Sequence, residues 1–510
     1  MTPAPAGSRH LVLACIEDGV RALTIRVLGA YAEALGVRTT LLVLVKPLAT
    51  AGRPLTFRRS ETRQIARFLR REEVTHFGMY LMTATLKPYQ RLVRGLREAG
   101  FRGLILAGGV HAALCPEESL VEGADFAVQG PGELPLKMLF EGADPAAIPG
   151  LVWRHNGAVV ANPQTDSQRV SLDTLPFPIF RFGRDKVLLK GKLRPYTWRI
   201  HRRFADWHGQ YYDLITSRGC PYKCAYCCRA DTGAIRRASV DRVIGELKHL
   251  RAEHPEIAGV NIQDDAFFYG PEDWAREFCR RMKAEVGLPF IVRMIPKFVT
   301  PERLELLKSG GLEYVTMGLE GSSRLNRTLY KRPEDKASFL KAARAVLDAG
   351  LHLSVDVIID NPYEKEEDLR EVAHTLNALP RPNWGVVALS LTPFPHTPLY
   401  ERAAKDGMLG RFATDAYDAM LMPTKEGGYT TPRFWRVLIT ELLPAIGPDV
   451  AGPLIAAGPA DPNAVHALER LAKWTTRLRR INAFIRDYVP FLYRFLVRRQ
   501  CRLGKSRSPK

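Results

Sequence analysis

The chain has 510 residues, 46% apolar and 25% charged, with 40 glycines and 36 prolines. This is ordinary globular composition, which excludes disorder, collagen and coiled coil for the whole and suits roughly three domains of about 150 residues. The net charge of +20 is uneven: residues 470–510 carry 13 Lys and Arg against one acid, Asp487, and the mildly basic remainder argues against a nucleic-acid partner. From His10 to Phe140, the apolar runs His10–Ile16, Arg38–Val45, His76–Met82, Gly103–Gly109 and Phe126–Gly130 alternate with amphipathic stretches at Val20–Leu35, Ser60–Arg71 and Pro88–Ala99. Continuous Val/Leu/Ile runs between helical patterns predict strands covered on both faces, in a five-stranded Rossmann-like parallel α/β domain over 1–145. Such sheets bind ligands at the carboxyl ends of their strands. Two glycine loops fall there, Gly108-Gly109-Val110-His111 and Gly130-Pro131-Gly132-Glu133; tight strand-to-helix turns are the other use of those glycines.

Residues 146–210 read as a Pro-rich, then basic and aromatic, linker. A second series follows over 211–402, with runs at Tyr211–Thr216, Gly259–Asp264, Pro289–Met294, Tyr314–Glu320, His352–Ile359 and Gly385–Thr392. Helical patterns separate them at Val240–His254, Pro271–Ala284, Pro301–Ser309, Lys336–Ala349 and Glu366–Leu379. Six β-α units make a partial (β/α)6 TIM-like barrel open on one side, with its chemistry on the loops after the strands. Residues 403–510 read as a helical, basic C-terminal region. Eight cysteines are too few for a disulfide scaffold. The first residues lack the order of a signal peptide, and no run reaches the roughly 18 apolar residues of a membrane span. A cytoplasmic location is the expectation.

Cys220, Cys224 and Cys227 follow the first strand of the second series in the segment Ser217-Arg-Gly-Cys-Pro-Tyr-Lys-Cys-Ala-Tyr-Cys-Cys228. A structural zinc site needs a fourth ligand on a second knuckle, and none follows within twenty residues. Three thiolates on one loop suit three irons of a [4Fe-4S] cluster, leaving the fourth iron open. Cys228 competes with Cys227, but adjacent side chains point apart, and it is read as a bystander. This CxxxCxxC spacing, with Tyr226 before the third cysteine, resembles the radical S-adenosylmethionine (SAM) superfamily. Gln263-Asp264-Asp265, Met317-Gly-Leu-Glu320-Gly321-Ser322, Val355 to Glu364 and Thr392 to Tyr400 look like signatures of its cobalamin-binding branch, as do GGxHA, PEE and GxGE across 103–140. Asp360 and His396 stand where relatives usually have Gly, and Gly321 where Ser is common.

The resemblance implies three cofactors: the cluster, SAM on its open iron, and cobalamin over the barrel mouth. Cleaved SAM would give a 5′-deoxyadenosyl radical that removes hydrogen from the substrate. Glu320 would accept hydrogen bonds from the SAM amino group or ribose, Arg293 would face its carboxylate, and Asp264 and Asp265 would order ribose hydroxyls or substrate; salt bridges at the barrel mouth are the plainer use of these residues. The nucleotide tail of cobalamin would thread beside Gly108, Gly109, Gly130, Gly132 and Glu133, with Tyr80–Thr83 beneath the corrin. The DxHxxG fingerprint of a cobalt-ligating His is absent, so His111 is read as a loop or cofactor-tail contact. Methyl transfer from methylcobalamin to carbon is the leading outcome. The alternatives are radical cyclisation or rearrangement of the tetrapyrrole or secondary-metabolite type, or a non-catalytic membrane- or RNA-associated Fe-S protein. Implied partners are a small-molecule substrate, lipid-like or tetrapyrrole, and an electron donor such as flavodoxin or ferredoxin. Trp474, Leu478, Ile481 and Ile485 recur among arginines as on a basic amphipathic helix, which suits packing on the open side of the barrel, docking of 470–510 on the inner membrane face, or an acidic partner or nucleic acid.

Overall fold

The computed structural model describes residues 9–17, 19–46, 55–205, 210–228, 235–418 and 428–488. The five expected N-terminal strands are present as β1 (His10–Glu17), β2 (Arg38–Val45), β3 (His76–Tyr80), β4 (Leu104–Gly108) and β5 (Phe126–Val128). All pair in parallel in the order β5-β4-β3-β1-β2. β1 is buried along almost its whole length, as a central strand covered by helices on both faces must be. The order reverses between β1 and β3, which places a crevice outside the carboxyl ends of those two strands.

The segment 146–210 is not merely a linker. It adds β6 (Leu151–His155) and β7 (Ala158–Ala161) antiparallel to one edge, and β8 (Lys186–Leu189) with β9 (Lys192–Pro195) to the other, giving nine strands. Val152, Val187 and Leu188 are buried, and both hairpins close edges that the five-stranded sheet leaves unpaired.

The second unit runs in sequential order through six parallel strands: β10 (Tyr211–Leu214), β13 (Gly259–Ile262), β14 (Phe290–Arg293), β15 (Leu312–Glu320), β16 (His352–Ile359) and β17 (Trp384–Ser390). This is the expected partial barrel. Between its first two strands, β11 (Ser217–Arg218) pairs antiparallel with β12 (Arg236–Arg237) and closes the base of the cysteine loop. Helices at Val240–Glu253, Pro301–Ser309, Lys336–Asp348 and Glu366–Asn377 cover the outside, where the sequence periodicity placed them. Ser239, Thr300 and Asp335 cap the N-termini of the first three.

One face of the first sheet shares a continuous apolar core with the barrel, so Leu11, Leu13 and Val43 belong to the same packed cluster as Tyr212, Leu214 and Val260. Arg26 binds the two units together: its guanidinium donates to the Pro178 carbonyl at 2.8 Å and lies 4.5 Å from the Phe180 ring centroid and 5.1 Å from that of Tyr212 on β10. Past the barrel, helical residues 433–442 pack on β17, and the helix Pro462–Tyr488 packs on them in turn. Leu468, Ala472 and Thr475 are buried there, whereas Trp474 is 55% exposed. The remainder of the expected amphipathic pattern, 489–510, lies outside the described residues. Among the described residues, no helix is long and apolar enough to cross a membrane.

Candidate active site

The cysteine loop hangs from Asp264, at the end of β13. This carboxylate, 1% exposed, accepts from the Thr216 and Ser217 backbone amides at 2.7 and 2.9 Å, from the Ser217 hydroxyl at 2.6 Å, and from the Thr216 hydroxyl. Burial pushes its pKa up, while these donors and Arg237 pull it back. With all its acceptor positions engaged by the loop, Asp264 supports the loop instead of meeting a ribose. Arg237 sits 3.9 Å from it and donates to the Phe267 and Tyr269 carbonyls at 2.7 and 2.8 Å.

Cys220, Cys224, Cys227 and Cys228 are half-buried free thiols. Backbone hydrogen bonds and a ring contact pin the loop. Ala225 donates to the Tyr330 carbonyl at 2.8 Å and accepts from the Leu399 amide at 2.9 Å, while Cys227 donates to the Cys224 carbonyl at 3.1 Å. The Tyr226 ring meets that of Tyr330 edge-on at 5.2 Å. Tyr226 therefore faces inward, toward Glu320 and Cys224. Burial pushes the Cys224 thiol up, with Arg332 opposing it.

Glu320 stands where β15 bulges, at φ 62°, and its carboxylate folds back so far that a Cβ on Gly318 would lie 2.1 Å from it. A side chain at Gly318 would displace that carboxylate from its present place. Arg332 approaches Glu320 at 3.5 Å and Glu334 at 3.2 Å. The sequence reading missed Arg332; its only signal was the Lys331-Arg332-Pro333-Glu334 segment that follows Tyr330. Arg293, exposed at the end of β14, donates to Gln263 at 2.5 Å, and Gln263 donates to Asp213 at 2.8 Å. Asp356 on β16 was also passed over: burial and Glu320 push its carboxyl up to about 7, with Arg293 and Arg332 opposing. Asp360 and His396 adopt φ 56° and 58°, in the left-handed region that favours glycine. The Asp360 carboxylate is consumed internally, by the Ser390 hydroxyl at 2.5 Å and the Thr431 amide at 2.9 Å.

A cavity of about 380 Å³ opens at the switch point of the first sheet. Leu11, Leu13, Met79 and Tyr80 form its floor, the Gly108-Gly109 and Gly130-Pro131-Gly132 loops its sides, and Arg218, Gly219, Gln263 and Asp265 its far wall. A Cβ on Gly108 would meet nothing within 4 Å, so this strand end faces open space, whereas one on Gly109 would strike Tyr80 at 2.6 Å. Glu133 borders the cavity, but its carboxylate, 4% exposed, is held by Arg218 at 2.7 Å, joining the first domain to the cysteine segment. His111 does not line the cavity. Its backbone amide binds the Leu81 carbonyl at 3.0 Å and its ring turns to Thr83, away from the expected cofactor-tail position.

These residues fit the groups their arrangement implies. Three thiols on one pinned loop match the sulfur ligation of an iron cluster with an open iron. A mainly apolar cavity bordered by bare glycine backbone matches an extended nucleotide-bearing tail. A sheet with a crevice at its switch point, set against an open barrel with its thiols at the mouth, defines a two-cofactor radical enzyme.

The model of the Radical SAM superfamily matches residues 214–376, and that of the B12 binding domain matches 9–140. The chain belongs to the cobalamin-binding radical SAM superfamily, and its cofactors are a [4Fe-4S] cluster, SAM and cobalamin. It is 25% identical over 359 residues to an uncharacterized methyltransferase of Pyrococcus horikoshii, covering 68% of this chain and 72% of that one. It is 27% identical over 203 residues to the 2-(S-pantetheinyl)-carbapenam-3-carboxylate methyltransferase of Streptantibioticus cattleyicolor, covering 27% of that protein. Its fold is similar to that of the radical SAM methyltransferase TsrM of Kitasatospora setae with cobalamin and cluster bound (TM-score 0.64, 20% identity, 78% of each chain). It is also similar to that of the cobalamin-dependent radical enzyme OxsB (TM-score 0.56, 16% identity, 84% of this chain and 59% of that one).

Proposed function

We propose that the protein methylates an unactivated carbon of a small molecule. The observation that carries this reading is a shared space: a single cavity is walled by the strand ends of the cobalamin-type domain and by Arg218, Gly219 and Asp265 beside the cysteines. A carbon held there would be reached from the cobalamin-type domain on one side and from the cysteine segment on the other. When bound, the cluster with SAM supplies a 5′-deoxyadenosyl radical, and cobalamin supplies a methyl group. Cys220, Cys224 and Cys227 hold the cluster. Glu320, kept in place by Tyr226 and Arg332, and Arg293 at the barrel mouth orient SAM through its amino and carboxylate groups. Asp265 and the Gly108, Gly109, Gly130 and Gly132 backbones line the cavity and would border the corrin and its tail. The buried walls exclude water from the reacting carbon, and electrons enter from a flavodoxin- or ferredoxin-type donor.

Methyltransferases among the relatives support this outcome, as does TsrM, whose structure with a SAM analog holds tryptophan as substrate. Neither a lipid-like substrate nor bilayer docking enters the proposal, because the described turns of the last helix bury Leu468, Ala472 and Thr475 against protein. The test is anaerobic turnover of the reconstituted protein with cobalamin, SAM, a reductant and candidate substrates. The expected product is heavier by one methylene, with one SAM released as 5′-deoxyadenosine and another as S-adenosylhomocysteine. A product of unchanged mass would replace methylation by rearrangement, and an absence of 5′-deoxyadenosine would end the radical reading.

A further inference from the structure

Behind the Gly108-Gly109 loop, on the side away from the cavity, lies a second set of ligating side chains that the reaction does not use. His111 is fully buried, Cys115 is 3% exposed, and Glu118 reaches in from the surface. One donor atom from each lies within 4.8 Å of the others, and His111 Nε2 stands 3.7 Å from Glu118 Oε2. We propose that His111, Cys115 and Glu118 bind a zinc-type divalent cation, separate from the cluster and the cobalamin.

The local chain is shaped for this. Residues 110–114 form a short helical turn that breaks at Cys115 (φ −129°, ψ 68°), and Pro116 opens the next. The break leaves positions 111, 115 and 118 on one side. His111 Nδ1 pairs with the buried Thr83 hydroxyl at 3.2 Å, an orienting bond of the kind that fixes the tautomer of a metal-binding histidine and turns the other nitrogen to the ion. That other nitrogen, Nε2, is buried and has no hydrogen-bond partner. A fully buried polar atom left unpaired is costly, and a cation between it and two further donors removes the cost. Nitrogen, sulfur and oxygen ligands together suit zinc, which takes three protein ligands and a water when its shell stays open.

The fit needs little movement. Zinc bonds of roughly 2.0–2.3 Å place tetrahedral donors roughly 3.3–3.8 Å apart. The Glu118 side chain, 47% exposed, has room to move toward the other two. Burial holds the Cys115 thiol up at about 12 in the absence of an ion, so binding displaces its proton to solvent. Around the three ligands, Tyr417 donates its hydroxyl to Glu118 at 2.8 Å and sets its ring edge-on to His111 at 5.8 Å. Tyr417 belongs to the segment after the barrel, and its neighbour Asp418 pairs with Lys87 at 2.6 Å. An ion here clamps that segment to the first domain and braces the Tyr80–Thr83 wall, which the Leu81 amide ties to Gly108 at 2.7 Å.

The experiment uses the full-length protein with its cluster and cobalamin in place, equilibrated with zinc and freed of loose metal. Elemental analysis is expected to find one zinc per chain, and zinc-edge X-ray absorption one sulfur among nitrogen and oxygen ligands. Cys115→Ala and the surface change Glu118→Gln should each abolish retention or weaken it at least tenfold in a chelator competition, with iron and cobalt per chain unchanged. Thr83→Val should weaken it by about 10–100-fold. A wild-type protein without retained zinc overturns the site. So does zinc with three sulfur ligands that survives Cys115→Ala, which would be metal lodged in the cluster cysteines.

Discussion

Replacing Asp264 by alanine removes the acceptor of hydrogen bonds from two amides and two hydroxyls at Thr216 and Ser217. A buried donor left unpaired costs about 1–3 kcal/mol, so the substitution is expected to destabilise the protein by about 3–5 kcal/mol and to lower iron per chain. Denaturant unfolding and iron analysis of the same preparation check both. Arg293→Ala is the contrast: an exposed side chain with one bond to Gln263 should cost at most about 0.5 kcal/mol, yet raise the KM for SAM. The sequence put Asp264 and Asp265 forward as equals. Along a strand end, successive side chains face opposite ways, and only the packed structure assigns one to the loop and the other to the cavity. Glu364 carries a pH prediction. Burial, Asp368 and Asp360 push its carboxyl from 4.5 up to about 8. Between those values the folded protein holds a proton that the unfolded chain has released, so stability falls as pH rises through that window. Glu364→Gln should flatten this slope in unfolding free energies measured across it.

Elements were legible where burial on both faces wrote a continuous apolar run, as in β1, β2 and β16; β17 carried such a run although Val387 is 46% exposed. The hairpin strands were not. β7 and β9 are largely exposed edge strands of four residues, so neither apolar runs nor clean alternation marks them, and the Pro-rich stretch near 176 reads as linker although its residues pack against Arg26 and Tyr212. The last helix shows the opposite difficulty. Its arginines and aromatics suggested a membrane-facing side, while the smaller Leu468, Ala472 and Thr475 make its contacts on residues 433–442. Leu468→Ala is therefore expected to cost about 2–4 kcal/mol and to expose the 433–442 face to limited proteolysis. Trp474→Ala, on the exposed side, should change stability by no more than about 0.5 kcal/mol.

At the scale of the molecule, the two cofactor domains are joined by a shared apolar core and by few polar links, among which Arg218–Glu133 stands beside the cavity. The sequence placed both residues in motifs, Glu133 in a glycine loop and Arg218 next to the first cysteine, but pairing across 85 positions is invisible without the fold. Glu133 is almost completely buried, so removing Arg218 leaves an uncompensated carboxylate. Arg218→Ala is expected to cost about 2–4 kcal/mol, below the upper range for buried pairs because Arg218 itself remains 22% exposed. Glu133→Gln should cost less, and the double change Arg218→Ala/Glu133→Gln should recover part of the loss, since no charge is then stranded. The same cycle read out as cobalt retained after gel filtration distinguishes a domain clamp from a direct cofactor contact. A clamp predicts that the double variant regains cobalamin along with stability; direct contact by Arg218 predicts that stability returns while cobalamin is still lost.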